Sequence, residues 1–497
     1  MMHPILLSYV PGFDSNSWVL FVGDNHTTDA SPANPGYFSQ TTSGMVLELD
    51  NEQNWLIGAS KYQSTNINSN IFLTKVSKKG EVIWQKALTE FRANNTVGTR
   101  TYVEGISFDE PGSSGNPGTV SNIYVTGSIV TTGAQNGFLM KLDSDGNILW
   151  QQHWAYPNTS YTNAGFAVRF NDADNPVVFG TYNYTRPYEI GGHLQHGICY
   201  AFDANSGTRL TDRIFIGSSG GLGSCYFYDA HKIADHFYIR MNGYYTHSPY
   251  VGGRSQSAVI KTNMDCDTLV AIQNTHIGSN SNVYIYEGLD DNGTNLAAST
   301  QLNDGAGGGP RQWHIFDTDL NQIDGWRFTD ASATEGQGTY NNWCYDGDFI
   351  YAAISSSDQV VQFFKFRVTT GEIVWQNKMV GDANNKISSS VYNESYLRVD
   401  TDGYLVYLNT TNKTQSYSNA HVLIGFRIPG DGTGAGSTFG NYTYTTSTDI
   451  SLTATTAPTG SNPSTYASTA APTDYGDPGV TQITTTIPIH REKRPFN

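Results

Sequence analysis

Three acidic stretches and a set of histidines are the first candidates for chemistry in this chain. Asp143-Ser144-Asp145-Gly146-Asn147, Asn171-Asp172-Ala173-Asp174-Asn175 and Asp290-Asp291-Asn292-Gly293 each offer several side-chain oxygens, the ligand type that calcium takes. An EF-type calcium loop also needs a distal bidentate Glu, and none stands at the required place. Asp, Asn and Gly are the residues that tight turns use, so turn formation accounts for all three. His193, His196, His231 and His236 cluster in sequence, but their spacings do not share one face of a strand. Gly217-Ser218-Ser219-Gly220-Gly221 fits G-x-S-x-G, yet no helix follows to make a nucleophile elbow. The expected catalytic, cofactor-binding and metal-ligating sets are therefore empty.

Two further stretches look like sialidase elements. LDSDGNILW resembles the Asp-box turn, with its Gly-to-Trp spacing one residue too long, and Phe426-Arg427-Ile428-Pro429 resembles the sialidase arginine motif at the wrong end of the chain. A glycosidase would also need paired carboxylates, and a sialidase further arginines to hold a substrate carboxylate; neither set is legible. The positive clue is for binding. Tyr184, Tyr188, Tyr245, Tyr250 and Trp343 stand in aromatic, amide-rich stretches expected to be loops, and such faces suit the CH patches and hydroxyls of sugar rings.

The elements that must carry these residues are hairpins. Gly137 to Trp154, GFLMKLDSDGNILWQQHW, reads as a strand, a turn at Asp145-Gly146 and a second strand. The unit recurs from Ile71, Cys199 and Gln362, with weaker copies from Ala258 and Trp313. Trp84, Trp150 and Trp375 each follow a turn glycine by four residues, and their repetition predicts packing between neighbouring units. A long-period repeat built only of strands predicts an all-β protein, a β-propeller of four-stranded blades. Complete units end near residues 88, 154, 215, 272, 329 and 380, and a seventh, ending near 428, holds only three strands. Trp18–Val22 supplies its fourth, so the reading is seven blades closed by a strand from the N-terminus, which protects both edges.

Composition agrees. Charged residues are 14% of the 497, well below the roughly 25% of an average soluble protein. With 51 glycines and 31 tyrosines, the chain suits short strands and many turns. A formal net charge of −16 with no basic stripe argues against a nucleic-acid partner. Cys199, Cys225, Cys266 and Cys344 form no C-x-x-C and are expected to be small apolar core residues. No apolar run reaches the ~18 residues of a membrane helix, and the N-terminus lacks a signal-peptide pattern.

After residue 430 the character changes. From Gly430 to Ile489 there is no Lys or Arg, and the segment is mostly Thr, Ser, Ala, Gly and Pro with scattered tyrosines. The expected division is thus a propeller over 1–430 and an extended low-complexity tail over 431–497, ordered only where it lies on something else.

Blade repeats with a turn Gly and a Trp, as in TTGEIVWQNKM, resemble the repeat of PQQ-type quinone-cofactor dehydrogenases. The calcium ligands and axial clamp of that family's cofactor site are not found, so no cofactor is expected. Propeller repeats such as FLMKLDSDGNILWQQHW, followed by FGNYTYTTSTDISLTATTAPTG and a terminal TTTIPI, resemble virion structural proteins of tailed marine phages, cyanophages especially. The resemblance implies a non-enzymatic virion component assembled in the host cytoplasm in several copies, tail-associated or, alternatively, decorating the capsid. It fits a tail strap that joins other virion proteins by strand addition, with Tyr442, Tyr444, Tyr466, Tyr475, Ile483 and Ile487 as contacts. The alternatives from other classes are a propeller-scaffold glycan hydrolase or lyase and a cellular interaction scaffold.

Overall fold

The computed structural model describes residues 17–22, 36–38, 45–63, 66–88, 100–131, 134–154, 163–184, 194–215, 224–245, 254–266, 269–274, 283–303, 311–330, 339–357, 360–381, 386–387, 397–412, 421–439, 442–455 and 489–490. The fold is an all-β propeller of seven four-stranded antiparallel blades, and no helix occurs among the described residues. By contact density the chain divides into two bodies. One comprises Met1–Val103, Phe328–Thr453 and Ile487–Asn497; the other comprises Glu104–Arg327 and Ala454–Thr486.

In the first body, blade 1 is Met45–Leu49, Trp55–Gln63, Asn66–Val76 and Val82–Leu88, and blade 6 is Thr339–Asp346, Phe349–Ser357, Val360–Arg367 and Ile373–Val380. Blade 7 is Leu397–Val399, Tyr404–Asn412 and His421–Pro429, completed by Trp18–Val22 from the other end of the chain. Trp18 lies opposite Arg427 and Val22 opposite Leu423, so the N-terminal closure holds residue by residue. The second body carries blades 3, 4 and 5, whose first strands are Ala164–Phe170, Ser224–Ile233 and Val283–Asp291. It also carries most of blade 2, formed by Arg100–Phe108, Ile123–Thr131, Ala134–Leu142 and Ile148–Trp154.

Local chemistry sets these meanders. Strands alternate apolar residues into contact with the neighbouring blade, and within each body the cores are chains of fully buried side chains such as Val19, Phe363, Tyr407 and Phe426. In the Asp143 turn, Asp143 Oδ1 accepts hydrogen bonds from the Asp145 and Asn147 amides at 3.0 and 2.7 Å, while Gly146 takes φ +73°. Asn171 and Asp291 likewise accept from the amides of their own turns. The acidic stretches are therefore turn builders.

Within each body, repeat tryptophans reach from one blade to its neighbour. Trp150 Nε1 donates to the Ala204 carbonyl of blade 3 at 3.1 Å, and Trp375 Nε1 donates to Gly430 O, just past the third strand of blade 7, at 2.9 Å. The receiving turn comes so close that a Cβ on Gly207 would lie 2.7 Å from the Trp150 ring. Trp18 is a fourth member of the set. It opposes Arg427 as Trp150 opposes Lys141, and its Nε1 donates to Lys78 O of blade 1 at 3.1 Å. The Gly-to-Trp spacing missed it because the turn that would precede it is broken between the two ends of the chain. Each of these tryptophans except Trp18 follows a β-bulge whose extra residue is an exposed aliphatic: Ile83, Leu149 and Val374. Leu210, Val270 and Ile323 repeat the feature in blades 3 to 5.

The described part of the tail is extended and lies on the chain's own blades. Ser437–Phe439 and Tyr442–Thr446 pair with each other, and the second adds to the outer strand of blade 6, Val380 facing Thr443 and Asn377 facing Thr446. Side chains hold it there. Asn377 Nδ2 donates to Tyr444 Oη at 3.0 Å, and Asp449 accepts from Gln362 and Lys378. In the second body, the Thr455 amide donates to Gly325 O at 2.9 Å on the last strand of blade 5. Ile489 and His490 pair with Leu88 and Ala87 on blade 1.

Candidate functional site

One charge cluster is built on the first strands of blades 3, 4 and 5, all in the second body. Arg169 stands near the end of Ala164–Phe170, Asp229 and His231 on Ser224–Ile233, and Asp290 and Asp291 at the end of Val283–Asp291. His231 Nδ1 donates to Asp291 Oδ2 at 2.7 Å, its Nε2 lies 3.6 Å from Asp229 Oδ2, and Asp290 Oδ1 is 3.8 Å from Nδ1. Arg169 closes on the other oxygen of Asp229 at 3.7 Å. Burial alone would push the His231 imidazolium down, but the Asp229 and Asp291 carboxylates outweigh it and raise the group to about 10. Burial likewise opposes the Asp229 charge, and His231, Arg169 and Arg240 of the next strand hold it at about 2. The His231, Asp290 and Asp291 ligand atoms lie within 4.8 Å of one another, close enough to hold a cation. A metal would have to displace a proton that the carboxylates hold tightly, so at neutral pH the cluster is an ion-pair knot.

Beside it lies an aromatic patch. Tyr226 and Tyr228, two residues apart on one strand, stack at 5.7 Å, and Phe166 from blade 3 meets Tyr228 at 5.1 Å. All three are half-buried. Phe166 and Tyr228 are each the extra residue of a bulge, because the register jumps from Gly165 to Ala167 and from Phe227 to Asp229. Bulges of this kind re-aim a side chain out of the regular sheet. The Arg240 guanidinium sits 5.2 Å from the Tyr228 ring and also lowers Asp229, which ties patch and knot together. Glu104, five residues before the Asp109 turn as Phe166 is five before Asn171, is the corresponding residue of blade 2. It is 6% exposed, burial raises its carboxyl to about 8, and among the described residues it makes no hydrogen bond or ion pair. Its charge also helps to push Tyr228 up to about 12, after burial and Tyr226. A carboxyl so placed stays protonated at neutral pH and can donate a hydrogen bond as well as accept one.

The expected site residues fall differently. Trp343 is 1% exposed and belongs to the core of blade 6, which corrects its place among the loop aromatics. Tyr442 and Tyr444 are 1% and 0% exposed, buried against their own chain, so their assignment to an external partner does not hold. The side chains of Tyr184 and Tyr245, and Tyr188, Tyr250, Tyr466, Tyr475, Ile483 and Ile487 entirely, lie outside the described residues, as does the Gly217–Gly221 stretch. Arg427 of the sialidase-like motif is 1% exposed and bound to Asp400 at 2.7 Å, with the Tyr404 ring against it at 3.9 Å, so it is closed to a substrate. Cys199, Cys266 and Cys344 are buried thiols outside any disulfide, as expected of core cysteines.

Sequence reasoning missed a second regularity. The third strand of five blades carries a basic residue at one place: Lys75, Lys141, Lys261, Lys365 and Arg427. Lys75 meets Asp50 at 2.8 Å with both side chains buried, and Arg427 meets Asp400 in the same way. In each, one carboxylate oxygen shapes the turn by accepting amides and the other takes the cation. Lys141 lies farther from its carboxylate, 3.9 Å from Asp109, and reaches the Gly115 and Ala204 carbonyls at 2.7 and 2.9 Å. The recurring basic residue within aligned hairpins was the available signal.

No protein-family model and no curated protein matches the chain. Among solved structures it is similar to the Dos1 propeller, at 12% identity over 82% of this chain and 96% of that one, with a TM-score of 0.40. It is also similar to an α-L-arabinanase of Penicillium chrysogenum complexed with arabinobiose, at 12% identity over 80% and 97% and a TM-score of 0.41. A GH93 α-L-arabinofuranosidase of Fusarium graminearum matches at 10% identity over 79% and 97%, with a TM-score of 0.40. The activities in those names belong to those proteins.

Proposed function

We propose that this protein is a non-catalytic structural component of a tailed-phage virion, assembled in the host cytoplasm and carried in several copies as a tail-associated propeller. Its C-terminal segment is the attachment strap, and the propeller meets host surface glycans. The observation that carries the reading is the way residues 437–455 are held. A stretch nearly devoid of Ile, Leu and Val gains order by adding strands to blade edges, with Tyr442, Tyr444 and Ile450 inserted as anchors. Residues 456–488 have the same composition and carry Tyr466, Tyr475, Ile483 and Ile487, so the strap function moves to them.

The test compares the full chain with a version ending at Thr455, which keeps the strands laid on blades 5 and 6. The truncated chain folds and no longer co-purifies with particles. Normal incorporation of the truncated chain overturns the strap, because attachment then runs through the blades.

A further inference from the structure

We propose that the first strands of blades 2, 3 and 4 form a binding site for a neutral sugar, with Tyr226, Tyr228 and Phe166 as its stacking platform and Glu104 as its hydrogen-bonding group. The proposal deepens the glycan-contact part of the functional reading and rests on that part only. It moves the contact from the loop tyrosines to the innermost strands.

Four independent observations converge on these residues. First, the aromatic rings are neither core nor fully exposed. They keep accessible surface while lying stacked and tilted against one another, the state that suits a sugar's CH face. Second, the backbone is deformed to present them. Phe166 and Tyr228 occupy equivalent bulges of neighbouring blades, and Gly105 approaches Phe166 O so closely that a Cβ would lie 2.5 Å from it. A regular strand would turn those side chains back into the interface between blades. Third, Glu104 is a buried carboxyl without a hydrogen bond or ion pair among the described residues, beside a patch that a ligand can reach. Such a group gains most from a partner that brings its own hydroxyls. Fourth, the cations nearby are committed. Arg240 lies against Tyr228, and Arg169 and His231 are bound to Asp229 and its neighbours. With the positive charges neutralised, and Asp229, Asp290 and Asp291 at the border, an anionic sugar is disfavoured and a neutral one accepted.

The probe is a panel of neutral tetrasaccharides of glucose, galactose and mannose, titrated into the full chain by calorimetry. The expected result is that at least one binds, and that Tyr228→Ala weakens it about tenfold or more while Glu104→Gln weakens it severalfold. A Tyr184→Ala/Tyr188→Ala variant binds as the parent does. Should Tyr228→Ala fail to fold, Tyr226→Ala carries the same expectation. Binding by none of the tetrasaccharides overturns the proposal, as does binding lost in the loop variant and kept in Tyr226→Ala. Either negative result leaves particle incorporation intact, so failure of the sugar site is distinguishable from failure of the strap.

Discussion

Replacing Glu104 by Gln should change the pH dependence of stability in a way that no surface carboxylate can. Burial raises the folded-state pKa of Glu104 from an ordinary 4.5 to about 8. Between those values the folded state holds a proton that the unfolded chain has released, so stability falls as pH rises through that window and is level above it. At about 1.4 kcal/mol for each pH unit, the rise bounds the loss at about 5 kcal/mol. Gln has nearly the same shape and cannot ionise, so the variant lacks this slope. The assay is the urea midpoint of the full chain, followed by tryptophan fluorescence at pH 5, 6.5 and 8 for both proteins. Near pH 5 the two differ by a small constant, because both place a neutral polar group at the site. By pH 8 the variant gains on the parent by about 2 kcal/mol or more. Parallel pH profiles would refute the reasoning, since they would mean that Glu104 ionises freely in the folded state.

Three further outcomes follow from the packing. Trp18→Ala removes the ring lying 4.2 Å from Trp55 and the bond to Lys78 O, and should cost about 3–5 kcal/mol in thermal or urea unfolding. His231→Asn takes the imidazolium from between Asp229 and Asp291, and should cost about 3 kcal/mol at pH 7. Because His231 is raised to about 10, its contribution is complete below its ordinary 6.5 and lost as pH climbs through 10, so parent and variant converge at high pH. Gly207→Ala meets both a φ of +70° and the Trp150 ring, and should lower the unfolding midpoint by more than the ~1 kcal/mol of a strained turn alone.

What the sequence revealed and what it hid follow from range. Hairpins are local, so alternation and an Asp-Gly turn were enough to read Gly137–Trp154 as two strands, observed as Ala134–Leu142 and Ile148–Trp154. Closure by Trp18–Val22 emerged from counting, because a blade lacking one strand leaves an unpaired edge. The equivalence of Trp18 with Trp84, Trp150 and Trp375 did not, since it depends on pairing with Arg427, some four hundred positions away. The inner bulges at Phe166 and Tyr228 were illegible for another reason. A bulge breaks the period of two by one residue, which reads as noise in a single strand and becomes a pattern only when blades are laid side by side. The tail was read by composition, which excludes a self-standing core but not strand addition, where backbone pairing and a few anchors suffice. Tyr442 and Tyr444 are those anchors, turned inward on blade 6.

The strap is the central claim, and sufficiency tests it most directly. Residues 456–497 fused to an unrelated soluble monomer should carry that monomer into particles, in competition with the full chain. A fusion that stays free while the full chain assembles would contradict the account and transfer attachment to the propeller.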